Sequence, residues 1–158
     1  MKYLIREMRF DEFSLLTDIL YEAIFVPEGV KPPPRSILSL PSLRLYVDGF
    51  GQSKHDVALV AEVNGKIAGA IWARIMDDYG HIDNHTPSLA IALFQEYRGK
   101  GIGSMLLNTM LKVLHHKGYQ YVSLAVQKKN AAVRMYHRTG FVIVDENEEE
   151  YIMRYTLA

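Results

Sequence analysis

The chain has no cysteine among its 158 residues, so disulfides, thiolate zinc clusters and cysteine nucleophiles are excluded. It also lacks net charge, because 18 Lys and Arg balance 18 Asp and Glu. Without a field of one sign, neither nucleic acid nor an anionic membrane is an expected partner, and any charge preference must come from a local patch. No apolar run approaches the roughly 20 residues of a membrane-spanning helix. The first ten residues carry Lys2, Arg6, Glu7 and Arg9 in place of the apolar stretch of a secretory signal. These absences lead us to expect a cytoplasmic protein. Proline is scarce, and three of the six prolines stand together at Pro32, Pro33 and Pro34, a stiff connection that no helix can cross. What is present is ordinary for a globular chain, with 49% hydrophobic and 23% charged residues. The length fits a single domain over residues 1–158.

Patterning predicts a mixed α/β fold. Lys2 to Met8 reads as a short edge strand, and Asp11 as the cap of a helix whose apolar positions are Phe13, Leu16, Leu20, Ala23 and Ile24. That helix should end near Pro27, with a second helical stretch over about Ser36 to Phe50. Asp56 to Val63 and Lys66 to Met76 are β-rich runs joined by Asn64-Gly65, the pair that suits a type I′ hairpin. Ser88 to Leu93 is nearly continuous in apolar residues, as expected of a strand buried on both faces in mid-sheet. From Ile102 to Leu114 the residues Ile102, Met105, Leu106, Met110, Val113 and Leu114 make one helical stripe, which Gly118 ends. Tyr121 to Val126 should be the next strand, parallel to Ser88–Leu93 through a right-handed crossover. A helix over Ala131 to Thr139 and a hairpin from Phe141–Val144 and Tyr151–Thr156 complete the chain.

The densest chemical signal is Arg98-Gly99-Lys100-Gly101-Ile102-Gly103, where the buried strand meets the long helix. Glycines there let a backbone approach a ligand, and the free amides at a helix start suit a phosphate or pyrophosphate. A triphosphate-binding P-loop would need Ser or Thr after its lysine, but Gly101 follows Lys100. A dinucleotide fingerprint would place its third glycine at Leu106. On spacing alone, a helix start packed tightly on a strand explains the turn equally well.

The segment resembles the GNAT superfamily of acetyl-CoA dependent N-acetyltransferases. Arg98-x-x-Gly101-x-Gly103 is similar to its pyrophosphate signature, and Asn130 with Ala132, Tyr136, Gly140 and Phe141 is similar to its second cofactor segment. The order of the remaining elements also resembles that fold. The resemblance implies acetyl-CoA as co-substrate, with its pyrophosphate on Arg98, Gly99, Lys100, Gly101, Ile102, Gly103 and Ser104. It further implies that Ile91, Ala92 and Leu93 offer backbone groups to the pantetheine arm and thioester, and that Asn130 contacts that arm. Tyr136 would be the general acid that protonates the departing thiolate. Read without the family, Asn130 is a helix cap and Tyr136 a core aromatic. The implied reaction is direct attack of a primary amine, small-molecule or peptide, on the thioester. A non-catalytic acyl-CoA sensor on the same fold is the rival reading, and the dimers common in the family leave room for a homodimer.

Two departures from the family stand out: Ser88–Leu93 carries no carboxylate to act as base, and Gln95 replaces a frequent proline. Glu22, Asp77, Asp78, His81, Asp83 and His85 are left as bases acting through water. His81, Asp83 and His85 alternate in a metal-capable pattern, but no fourth ligand is signalled and no metal is expected. His115 and His116 suit a helix C-terminus, and Trp72 reads as core. The run from Asp145 to Glu150 reads as a solvated hairpin tip; the resemblance, which implies that this hairpin lies near the acceptor site, makes it an attractor of a cationic amine.

Overall fold

The computed structural model describes residues 2–157. One sheet holds seven strands in the order β1-β2-β3-β4-β5-β7-β6. They are β1 (Tyr3–Glu7), β2 (Val57–Val63), β3 (Lys66–Arg74), β4 (Ser88–Leu93), β5 (Tyr121–Gln127), β6 (Val142–Glu146) and β7 (Glu150–Thr156). β4 and β5 run parallel, and the other neighbours are antiparallel. The β2–β3 turn has φ of +52° at Asn64 and +84° at Gly65, the pair of positive values a type I′ turn requires.

Strand alternation sorts the core into two faces. Leu59 and Ala61 of β2 and Ile71 of β3 pack toward helices α3 (Ile102–His116) and α4 (Ala132–Thr139). Val60 of β2 and Ala70 and Trp72 of β3 pack toward helix α1 (Leu16–Ala23) and the segment 38–50. The sheet is therefore the middle of three layers. Trp72 is fully buried, and its Nε1–H donates to the Tyr46 carbonyl at 2.9 Å.

Several local expectations are corrected. Asp11 does not cap α1; Phe10–Leu15 is a 3-10 helix and α1 starts only at Leu16. Glu12 does the capping instead, since its carboxylate accepts the Arg9 amide and is gripped by both Arg6 Nη atoms at 2.8 and 2.9 Å. In α1 the core takes Ile19 beside Leu16 and Leu20, and the helix ends at Ala23, before Pro27. The stretch Ser36–Phe50 breaks into a 3-10 turn (Arg35–Ser39) and a single helical turn, α2 (Pro41–Arg44). Pro41 restarts the helix at its first position, while Gly49 and Gly51 take φ of +63° and +96°. The buried face of α3 gains Leu107 and Leu111 and loses Met105, which is 41% exposed, because the broad sheet covers a wider arc than the narrow stripe. In the last hairpin Phe141 is buried ahead of β6, whereas every residue of β6 is exposed at the sheet edge.

Candidate functional site

A break in the sheet creates the site. β4 and β5 pair at Ser88↔Ser123, supported by the Ser123 amide donating to the Pro87 carbonyl at 3.0 Å. Both serines are fully buried and committed sideways: Ser88 Oγ donates to Asp78 at 3.0 Å and Ser123 Oγ to the Gly80 carbonyl at 2.8 Å. Beyond this point the strands splay. Ala90, Ile91 and Leu93 are for that reason only partly buried, which corrects the expectation of a strand buried along its whole length. The opening is a cavity of about 300 Å³ lined on one side by Leu89, Ala90 and Ile91 and on the other by Leu124 to Gln127. A wider groove continues from it past Ala92 and Leu93 to Arg98 and Gly103, and Ile91, Asn130 and Tyr136 line both. One channel thus links the glycine turn to the splay.

At the glycine turn, Gly99 and Gly101 have φ of +75° and +83°, a region L side chains rarely adopt. A Cβ at either position would meet nothing within 4 Å, so the glycines serve the turn's curvature and leave its outer surface open. α3 begins at Ile102, and Gly101 before it offers no side-chain cap, leaving the amides of Ile102, Gly103 and Ser104 without helical partners. Lys100 is exposed beside them. The guanidinium of Arg98 is directed elsewhere: Nε donates to the Leu93 carbonyl at 3.0 Å and Nη2 to the Glu22 carbonyl at 3.1 Å. That side chain locks the turn onto β4 and α1, and its Nη2 also lies 3.7 Å from Glu22 Oε1, engaging one of the expected bases.

Gly69, which the sequence analysis did not single out, fixes the other flank. A Cβ there would lie 2.3 Å from the Ala92 carbonyl oxygen. Only glycine lets β3 press this close to β4, and the Phe94 amide follows by donating to the Ala68 carbonyl at 2.9 Å.

Asn130 performs the capping expected of it, its Oδ1 accepting the Ala132 amide at 2.9 Å, and it also lines the channel. Tyr136 is 6% exposed, its ring centroid lies 5.7 Å from that of Phe141, and it lines the cavity. Its hydroxyl has no hydrogen-bond partner among the described residues, and burial pushes its pKa up to about 12. At neutral pH it is a phenol able to donate.

The remaining acid–base candidates separate clearly. His81 Nδ1 bonds the Met76 carbonyl at 2.9 Å, and Asp83 accepts the His85 amide at 2.8 Å. The His85 amide and Thr86 hold the Asp83 carboxyl below its ordinary range. Among the described residues no three His, Asp or Glu side chains converge on a point that could hold a metal. Asp77 is exposed. Asp78 is the exception: it accepts hydrogen bonds from Ser88 and, at 3.1 Å, from the Tyr46 hydroxyl, while burial pushes its carboxyl up. Tyr46 itself lines the cavity, and burial together with Asp78 raises its hydroxyl further. The sequence analysis missed Tyr46, whose place after α2 gave no periodic signal. Glu150 also lines the cavity and is raised by burial and by Glu149 and Asp78. The rest of the acidic run, Asp145 to Glu149, is exposed. His115 Nδ1 bonds the Leu157 carbonyl, so it ties α3 to the chain end.

No helix among the described residues is long and apolar enough to cross a membrane. Solved structures of similar fold include an N-acetyltransferase of Staphylococcus aureus, 20% identical over the whole of both chains with a TM-score of 0.73. A GNAT-family acetyltransferase of Streptococcus pneumoniae is 22% identical over 99% of this chain and 100% of its own, with a TM-score of 0.70. The PaiA N-acetyltransferase of Thermoplasma acidophilum, solved in complex with coenzyme A, is 22% identical over 99% of each chain with a TM-score of 0.69. The model of the acetyltransferase (GNAT) family matches residues 20–141, a span that takes in the second half of α1, the splayed strands, the glycine turn and Tyr136, and the chain belongs to that family.

Proposed function

We propose that the chain, as one domain over residues 1–158, transfers an acetyl group from acetyl-CoA to a primary amine in the cytoplasm. The observation that carries this reading is the continuous channel from the open glycine turn to the splay of β4 and β5, with Tyr136 on its wall. The unpartnered amides of Ile102, Gly103 and Ser104, with the backbone from Arg98 to Gly101, fit a pyrophosphate. Ile91, Ala92 and Leu93 present main chain along the channel, and Asn130 lies beside it. A backbone amide from this stretch placed at the thioester oxygen would contribute on the order of 3 kcal/mol as negative charge develops there.

The amine nitrogen forms its bond to the acetyl carbon directly, the carbon–sulfur bond breaks, and the thiolate leaves toward Tyr136. A phenol at about 12 holds its proton more tightly than a thiol at about 8.5. Tyr136 therefore acts first as a hydrogen-bond donor to the developing thiolate and completes proton transfer only as its own charge is solvated.

A thermal-shift titration with acetyl-CoA, CoA, NAD and ATP tests the cofactor. Acetyl-CoA and CoA should raise the melting temperature and the other two should not, since a ligand of the folded state stabilises by mass action. No response to either thioester or thiol would end the reading.

A further inference from the structure

Resting on the acetyltransfer reading, the geometry points to Glu150, with the Tyr46–Asp78 pair, as the seat of a cationic primary amine of compact apolar body, and to Glu150 as the group that takes the amine's proton. Glu150 differs from the acidic residues before it. It opens β7 opposite Gln127, and its backbone is clamped by Asn147, which accepts the Glu150 amide on Oδ1 at 2.7 Å and donates its own amide to the Glu150 carbonyl at 3.0 Å. The clamp fixes a carboxylate on the wall of the cavity that Tyr46 and Tyr136 also line.

No protein cation answers this charge among the described residues. Lys128 pairs with Glu146 at 3.2 Å and stacks over Tyr151 at 5.2 Å. Asp78 is satisfied by two neutral hydroxyls, those of Ser88 and Tyr46. A carboxylate on the cavity wall, with a second one behind Tyr46 and no counter-ion for either, favours entry of a cation. The same cavity is lined by Tyr136, which is 6% exposed and has no hydrogen-bond partner for its hydroxyl among the described residues, so the amine's seat adjoins the place where the thioester would lie. Leu20, Ala23, Phe25, Leu89 and Leu124 supply apolar wall, and about 300 Å³ suits a compact apolar body.

The proton balance is simple. The ammonium R–NH3+ gives one proton to the Glu150 carboxylate, leaving R–NH2 with a free lone pair for the acetyl carbon and a neutral Glu150 that releases its proton to solvent from its half-exposed side. The groups that bear on Glu150 are Asp78, Glu149, Tyr46 and Tyr79, and both nearby carboxylates raise its proton affinity. The Tyr46 hydroxyl donates to Asp78 and so presents its oxygen lone pair to an amine N–H. Asp78 acts through Tyr46 as a positioning residue.

The test is calorimetric titration of the protein saturated with CoA, using butylamine, cyclohexylamine and phenethylamine, with N-acetylphenethylamine as the uncharged control. At least one amine should bind and the control should not. Glu150→Gln should weaken that amine about tenfold or more, as loss of a charge-assisted contact does, with CoA affinity unchanged. Tyr46→Phe should weaken it as well, and in turnover Glu150→Gln should lose the acid limb of the kcat/KM profile. Binding of no amine to the CoA complex, or equal binding by wild type and Glu150→Gln, overturns the assignment. Failure of CoA itself to bind overturns the underlying reading, and the assignment with it.

Discussion

Burial acts on Tyr136 in two directions. It keeps the phenol protonated far above neutrality, to about 12, and it makes proton transfer to a thiolate harder than it would be in water. The balance predicts a moderate role. Tyr136→Phe should lower kcat roughly 10- to 100-fold where chemistry limits turnover, with the KM for acetyl-CoA little changed, measured by thiol release. Because the phenol does not ionise below about 12, wild-type kcat/KM should show no alkaline loss from this group between about pH 7 and 10, a range in which loss of the amine's proton favours attack. At this scale the sequence was informative wherever chemistry is local. The glycine turn declared itself because three glycines and two cations stand within six residues, and Asn130 because a cap sits next to what it caps. Tyr46 and Glu150 were not legible as partners, since only the sheet order brings the segment after α2 and the start of β7 to one cavity. Arg98 shows the converse: its charge pointed to a ligand, and its guanidinium is occupied by two carbonyls.

The elements that matter most are those holding Tyr46 against the sheet. Arg74 at the end of β3 donates to the Leu45 and Asp48 carbonyls at 3.1 and 2.9 Å and pairs with Asp56 at 3.2 Å, whose side chain is 1% exposed. The Arg74 guanidinium also lies 5.3 Å from the Phe50 ring. Removing one member strands a buried charge, so Asp56→Ala should cost about 3 kcal/mol or more in denaturant unfolding. The same change should weaken amine binding through Tyr46 more than CoA binding. The β2–β3 hairpin was readable because Asn64-Gly65 dictates its own turn. The stretch 36–50 was not, because its short helical turns are held by Trp72 and Arg74, residues on another element, and by little periodicity of their own. The cap of the 3-10 helix before α1 escaped for a related reason: Glu12 is recruited by Arg6 on β1, which a local reading of Asp11 does not see.

At the scale of the molecule, the fold was legible as an order of strands and helices, and the splay was not, since Ser88–Leu93 and Tyr121–Val126 look like strands that could pair throughout. What separates them is the pair of buried serines, each turned to the loop 78–80, which closes the ladder at one rung. The sheet is therefore two half-sheets, β1-β2-β3-β4 and β5-β7-β6, stitched at a single point. Amides of residues 89–91 and 124–127 that face the gap have no strand to protect them, so in hydrogen exchange they should trade with solvent far faster than the amides shared by β2 and β3. Acetyl-CoA should slow that subset selectively, and equal protection with and without it would show the gap to be closed already. A ligand lying along the gap would serve as a missing rung, making the two halves unfold as one cooperative unit where the empty protein is free to come apart at a seam.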